Sequence, residues 1–195
     1  MKACVFVFNG VEPIECFTTV DVLVRAGFDV TITSVFDEKT IHGAFGINIV
    51  PSRTLDQVMQ EHFNVVVFPG GPGSNSEEIW GNRNLHRFMR QHNEQKAIIG
   101  SICAGTLTPA HAGIFQQKSV TSWPGVKEQI LQHCGTYQDD LPSVVDGNII
   151  TSKGPGTAMH FALMIVKQTK GVDAVKSLGK QLLVPDCVMR ATGVQ

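Results

Sequence analysis

Apolar positions along the chain fall into short unbroken runs alternating with helically spaced sets, in the repeated order strand then helix. Ala3-Cys4-Val5-Phe6-Val7-Phe8 is a continuous apolar run, which suits a strand covered on both faces. After the loop Asn9 to Pro13, the residues Ile14, Phe17, Val20 and Val24 take helical spacing, with Gly27 to stop the helix at Ala26. Asp29 to Val35 alternates with β-branched residues and predicts a second strand. His42 to Val50 carries two glycines around a short apolar segment, a hairpin or an excursion off the main sheet. Val65-Val66-Val67-Phe68 is another buried strand, and it ends at Pro69-Gly70-Gly71-Pro72-Gly73. Leu85 to His92 predicts a helix, Ala97 to Gly100 a strand, and Ala104 to Ala112 a helix weakened by Pro109. Ser119 to Ser122 and the Asp-Gly hairpin Val144 to Ile150 add strands, while 126–134, 158–167 and 172–183 add helices.

Such alternation predicts an α/β three-layer sandwich, a mostly parallel sheet with helices on both faces. No repeat, low-complexity tract or linker divides the chain, so a single domain over 1–195 is expected. Ligands of such sheets sit beyond the carboxyl ends of the strands, where the strand order reverses. Three loops follow strands here: Asn9 to Glu15, Gly70 to Ser76 and Ser101 to Thr106. If those strands are neighbours, the loops converge on one pocket.

The third loop carries the strongest chemical signal. Ala97-Ile98-Ile99-Gly100-Ser101-Ile102-Cys103-Ala104-Gly105-Thr106 is an apolar run that ends at a cysteine among small residues. It reads as a nucleophile elbow: buried strand, tight strained turn, helix start. At the tip of that turn a helix dipole favours the thiolate of Cys103, the reactive form. A buried structural cysteine is the plain alternative. Gly70 and Gly71 offer backbone amides unobstructed by side chains, as an oxyanion site needs, and Ala104 offers a second amide just after the nucleophile. A plain tight turn competes with that role, whereas phosphate binding does not, since no Gly-Lys-Ser/Thr or GxGxxG pattern accompanies the glycines. Glu12 and Glu15 both stand at the start of the first helix, where a carboxylate favours the dipole, and the pattern leaves them even as catalytic candidates.

Composition narrows the partners. The formal net charge is -1 and no long basic run is present, so nucleic acid and anionic membranes have no electrostatic handle. No apolar run approaches the ~20 residues of a spanning helix, and the chain opens straight into a strand-like segment with no leader pattern. Five cysteines, widely spaced and without a CxxC pair, argue for reduced thiols in a cytoplasmic setting and against a zinc site. No metal or cofactor is expected.

Over nearly its whole length the chain resembles the ThiJ/PfpI superfamily, in its DJ-1-like branch. The resemblance is carried by Glu12-Pro-Ile-Glu15, by Thr-Val-Asp-Val-Leu-Val-Arg25-Ala-Gly27 and by Val-Val-Phe-Pro-Gly-Gly71. Ile102-Cys103-Ala104-Gly105 and Thr151-Ser-Lys-Gly154-Pro155-Gly156-Thr157 complete it. It implies a flavodoxin-like fold with Cys103 as nucleophile and Glu15, largely protonated, as its hydrogen-bonding acid. It also implies Gly71 and Ala104 as anion-stabilising amides, Gly70, Trp123, Gly154 and Pro155 as pocket residues, and a homodimer whose interface includes Arg25 and Cys16. Members of this type are described as glyoxalases that turn α-oxoaldehydes such as methylglyoxal into hydroxy acids without glutathione, and as protein deglycases. The rival within the same family is a redox-sensing protective chaperone whose cysteine oxidises to sulfinic acid. A binding or scaffold dimer with an incidental Cys103 is the third class.

The departures from the family are specific. Where many relatives have a histidine near the cysteine this chain reads Thr121-Ser122-Trp123-Pro124, and tryptophan relays no protons. The family's peptidase branch carries a histidine directly after the nucleophile; here that residue is Ala104. Class I glutamine amidotransferases pair the elbow with a late His-x-Glu, which His160-Phe161-Ala162 lacks. For His111, His133 and His160, surface or helix-packing roles are expected.

Overall fold

A computed structural model describes residues 1–194. Its main sheet has seven strands: β1 (Lys2–Val7), β2 (Asp29–Ser34), β3 (Arg53–Thr54), β4 (Val65–Phe68), β5 (Ile98–Ile102), β6 (Ser143–Asp146) and β7 (Ile149–Ser152), in the order β6-β7-β5-β4-β1-β2-β3. Every pairing is parallel except β6 with β7, the hairpin that turns at Gly147 with φ of 64°. The two-residue edge strand β3 carries too little pattern to be read from sequence. The chain starts in the middle of the sheet, runs outward through β2 and β3, and then returns to lay β4 against the other side of β1. The strand order therefore reverses between β1 and β4, and β4 is also hydrogen-bonded to β5. The three strands that feed the candidate loops are neighbours.

Register explains why helices cover both faces. Val5, Val67 and Gly100 lie in one row across the sheet. A side chain at Gly100 would come within 3.0 Å of Phe161 and 3.2 Å of Ile165, so the helix α3 (Ala158–Lys170) presses on this face. One residue further along each strand the side chains point the opposite way. There Phe6 meets Phe88 of α2 (Arg83–Glu94) edge-on at 5.5 Å and Phe68 at 5.8 Å. All three rings are fully buried, each worth roughly 1.5–3 kcal/mol of transfer free energy. The first helix, α1 (Pro13–Arg25), packs beside α3.

Two expected strands lie off the main sheet. Residues 41–42 and 48–49 form a small antiparallel ribbon, and 119–120 pair in parallel with 136–137. The expected helix 104–112 is a 3-10 turn, Cys103–Thr106, followed by five α-helical residues, Leu107–His111. No helix among the described residues is long and apolar enough to cross a membrane.

Candidate active site

Glu12 starts α1. Its Oε2 accepts the Glu15 N–H at 2.8 Å, and Pro13 fills the first helical position, where a missing N–H costs nothing. The helix entry leaves Glu15 beneath the carboxyl ends of β1 and β4, fully buried. The Gly70 N–H donates to Glu15 Oε2 at 2.7 Å, and the Glu12 N–H donates to Gly70 O at 2.9 Å. The structure thus separates the two carboxyls that the pattern left even. Glu12 caps the helix and lines a cavity, while Glu15 lies against Cys103.

Cys103 occupies the elbow with φ of 62°, the left-handed region that strains any side chain with a Cβ. The turn is held by Thr106 Oγ1, which donates to Cys103 O at 2.7 Å. Small neighbours are obligatory. A methyl on Gly105 would lie 2.3 Å from Pro69 O, and one on Gly70 would lie 2.6 Å from Cys103 Cβ, 2.9 Å from Glu15 Oε2 and 3.0 Å from Ala104 N. The Cys103 side chain, the Glu15 carboxyl and the Ala104 amide therefore crowd around one α-carbon. The Ala104 and Gly71 N–H groups both donate toward the sulfur. Glu15 Oε1 is buried without a hydrogen-bond partner of good geometry, and the Cys103 thiol lies beside the carboxyl and favours its charged form.

Electrostatics correct one expectation. Burial pushes the Cys103 thiol up to about 12; the Glu15 charge adds to this, and the Ala104 and Gly71 amides oppose it. Burial likewise pushes Glu15 up to about 7, against the Gly70 N–H and the Cys103 contact. The thiol is not an independently acidic group. The helical segment behind it is too short to supply the expected field, and the low dielectric resists two charges side by side. The pair titrates as a unit: one proton leaves near neutrality and the second only far above it. Between those limits the two groups hold one proton and one negative charge.

The sulfur opens on a cavity of about 500 Å³ whose wall includes Glu12, Gly71, Asn75, Ala104, Trp123 and Pro155. Asn75, Val126 and Gly125 join this wall without having been singled out in the sequence, although Asn75 lies inside the glycine-rich loop that was. Trp123 stands at the mouth, 48% exposed, and its indole relays no protons. Neither Gly70 nor Gly154 lines this cavity: Gly70 is covered by Cys103, Glu15 and Ala104, while Gly154 backs the Trp123 ring, where a methyl would sit 3.6 Å from it. Arg25 ion-pairs with Asp21 at 2.8 Å on the exposed side of α1, far along the helix from the sulfur. Cys16 is wholly enclosed by the chain itself, so its side chain has no surface left to offer a partner. His111 stacks on Trp80 with ring centroids at 4.2 Å and meets His133 at a tilt at 4.5 Å, and buried His160 contacts Ser143 Oγ at 2.9 Å. None of the three histidines lines the cavity. Among the described residues no group of three or more histidine, cysteine or acidic side chains is placed to hold a metal ion.

The DJ-1/PfpI family model matches residues 1–168. The chain belongs to the DJ-1/PfpI family. It is 36% identical to Protein dj-1beta of Drosophila melanogaster, with 94% of this chain and 97% of the relative covered. The crystal structure of that DJ-1beta superposes with a TM-score of 0.89 at 36% identity, covering 94% of this chain and 98% of the other. A second DJ-1 relative, the glutathione-independent glyoxalase DJR-1.2 of Caenorhabditis elegans, is 37% identical over 88% of this chain and 89% of its own. The glutathione-independent glyoxalase DJ-1 of Schizosaccharomyces pombe is 28% identical over 95% and 100%. The mostly parallel sheet wrapped by helices is the DJ-1 architecture.

Proposed function

We propose that this DJ-1/PfpI family member is a cofactor-independent enzyme of the glutathione-independent glyoxalase type, converting small α-oxoaldehydes into 2-hydroxy acids with water as the only co-reactant. One observation carries the reading. Cys103, Glu15 and the Ala104 amide crowd around Gly70, and Cys103 and Ala104 open on a cavity about 500 Å³ in volume.

With one proton between them, Glu15 takes the thiol proton as the Cys103 sulfur adds to the aldehyde carbon. A C–S bond forms, and the carbonyl electron pair moves to oxygen, where the Gly71 and Ala104 N–H groups hold it. Glu15 gives the thiol's proton to the ketone oxygen, then removes the proton on the former aldehyde carbon and returns it to the neighbouring carbon, so that the ketone becomes the hydroxyl. The aldehyde carbon is oxidised and the ketone carbon reduced by the same electron pair, leaving an S-linked 2-hydroxyacyl group. Water cleaves this thioester, and the acid leaves with the thiol restored. Applied to an α-oxoaldehyde adduct on an amine, the same attack gives deglycase-type chemistry.

The test is lactate formation from methylglyoxal. Turnover should fall at least ~10³-fold in Cys103→Ala, as loss of a covalent nucleophile does elsewhere. Lactate formation at an undiminished rate in that variant would end the proposal. The redox-sensing alternative draws no support from the site. Oxidation follows thiolate character and exposure, and Cys103 is a raised, 8% exposed thiol while Cys187 is the exposed one.

A homodimer belongs to the same proposal. Ile14, Phe17 and Val24 form an exposed apolar stripe along α1, beside the Arg25–Asp21 pair. Sedimentation should give twice the chain mass for the wild type and a shift toward monomer for Phe17→Glu.

A further inference from the structure

Among the described residues, the cavity over Cys103 carries a carboxyl that the chemistry above does not use and no cation to balance it. Glu12 is only 6% exposed, yet it faces this cavity, with its Oε2 fixed by the Glu15 N–H and its backbone fixed to Gly70 O. The rest of the wall is uncharged: the Trp123 ring, Asn75, prolines, glycines and Val126. Beneath it the Cys103–Glu15 pair already holds one negative charge. Glu12 adds its field to that pair, opposing ionisation of Glu15.

From this placement we infer that Glu12 is the charge filter of the pocket, making the site accept neutral and cationic carbonyl compounds and reject anionic ones such as 2-oxo acids. The inference deepens the glyoxalase reading by naming the substrate charge class, and it rests on that reading only for the word substrate. A carboxylate entering the cavity meets a fixed like charge in a partly water-excluded space, where repulsion is several-fold stronger than in bulk water. An ammonium group meets an attractive one and the face of Trp123. The same field acts on the reaction's product. A neutral oxoaldehyde enters and a hydroxy acid anion leaves, so repulsion by Glu12 favours release.

Reactivity of the thiol measures the field without any turnover. Methanethiosulfonates with a methyl, a trimethylammonioethyl or a sulfonatoethyl group all react alike: the cysteine sulfur attacks the sulfenyl sulfur, an S–S bond forms, and methanesulfinate leaves with the electron pair. Peptide-resolved mass spectrometry gives the rate at Cys103, with exposed Cys187 in the same molecule as internal reference. Relative to Cys187, wild-type Cys103 should prefer the cationic over the anionic reagent. Glu12→Gln, which keeps an oxygen to cap Glu15, should shrink that preference about tenfold. Glu12→Ala should shrink it equally, since the charge and not the cap sets it. An unchanged preference in Glu12→Gln, or a change confined to Glu12→Ala, would overturn the inference. In assays with methylglyoxal, glyoxylate should become a better competitor of Glu12→Gln by a similar factor, and lactate a stronger product inhibitor. Charge-selective labelling without methylglyoxal turnover would keep the filter and retire the glyoxalase reading. Turnover without charge-selective labelling would do the reverse.

Discussion

Glu15→Gln should lose most of its methylglyoxal turnover and become more stable than the wild type at alkaline pH. The first effect follows from the removal of the carboxyl proposed to carry protons between the reacting atoms, a role worth typically ~10²–10⁴-fold. The second follows from linkage. Burial raises the Glu15 carboxyl from 4.5 to about 7 in the fold. A raised carboxyl is neutral in both states below pH ~4.5, so there it costs nothing. Above about 7 the unfolded chain carries the charge freely, while the folded chain must hold it in a buried site. Stability therefore declines as pH rises through that window, by about 3 kcal/mol at the upper end. Glutamine keeps an oxygen for the Gly70 N–H and carries no charge. Its melting temperature should exceed that of the wild type by roughly 5–10 °C at pH ~8 and match it near pH ~4. The kcat/KM of the wild type should climb with pH through about 7, as the Cys103–Glu15 pair loses its first proton, and Glu15→Gln should lack that limb. Without the Glu15 charge, the Cys103 thiol should also ionise below about 12, which thiolate absorbance reads directly. A variant less stable than the wild type at pH ~8, or an unaltered pH profile, would show that the carboxyl is not held neutral by its surroundings.

What the sequence disclosed and what it hid have separate physical origins. The apolar runs Ala3 to Phe8 and Val65 to Phe68 announced buried parallel strands, because a strand covered on both faces has no polar side to alternate with. Elbow and glycine-rich loop were legible for a similar reason: Gly70 and Gly105 face backbone or Cβ atoms within 2.6 Å of where a methyl would sit, so only glycine fits. The edge strand 53–54, the 136–137 pairing and the helix 186–191 stayed hidden, since two to six residues carry no measurable period. Charge states were the least legible. The elbow motif announces a nucleophile, but whether its thiol ionises depends on how much water reaches it and on what shares its cavity. Those are set by Glu15, Glu12 and Gly70, which reach Cys103 from two other loops, and Gly70 and Glu15, hydrogen-bonded to each other, are themselves 55 positions apart. The tie that the local pattern left between Glu12 and Glu15 was broken by the family resemblance and then by partners: Glu12 caps the helix while Glu15 takes the Gly70 N–H from a distant loop.

Gly70→Ala should uncouple the site while leaving the fold in place. Gly70 does not adopt the left-handed conformation, so its backbone angles would accept alanine. The obstacle is space. The new methyl would stand 2.6 Å from Cys103 Cβ and 3.0 Å from Ala104 N, both tied to the strained elbow, and 2.9 Å from Glu15 Oε2. The loop cannot retreat freely either, because Gly70 O accepts the Glu12 N–H at 2.9 Å and its own N–H is held by Glu15 at 2.7 Å. Something must give, and overpacking of this kind costs ~1–3 kcal/mol, which a domain of this size survives. Catalysis is less tolerant. A shift near 1 Å between nucleophile, acid and oxyanion amides costs about 10²-fold, so turnover should drop at least that far while the circular dichroism spectrum and the α1–α3 packing persist. Gly156→Ala is the matched control: a methyl there meets nothing within 4 Å, and stability should stay within ~0.5 kcal/mol of the wild type. Full turnover in Gly70→Ala would mean that the chemistry does not depend on the three groups meeting at this α-carbon, and the catalytic assignment of Glu15 would fall with it.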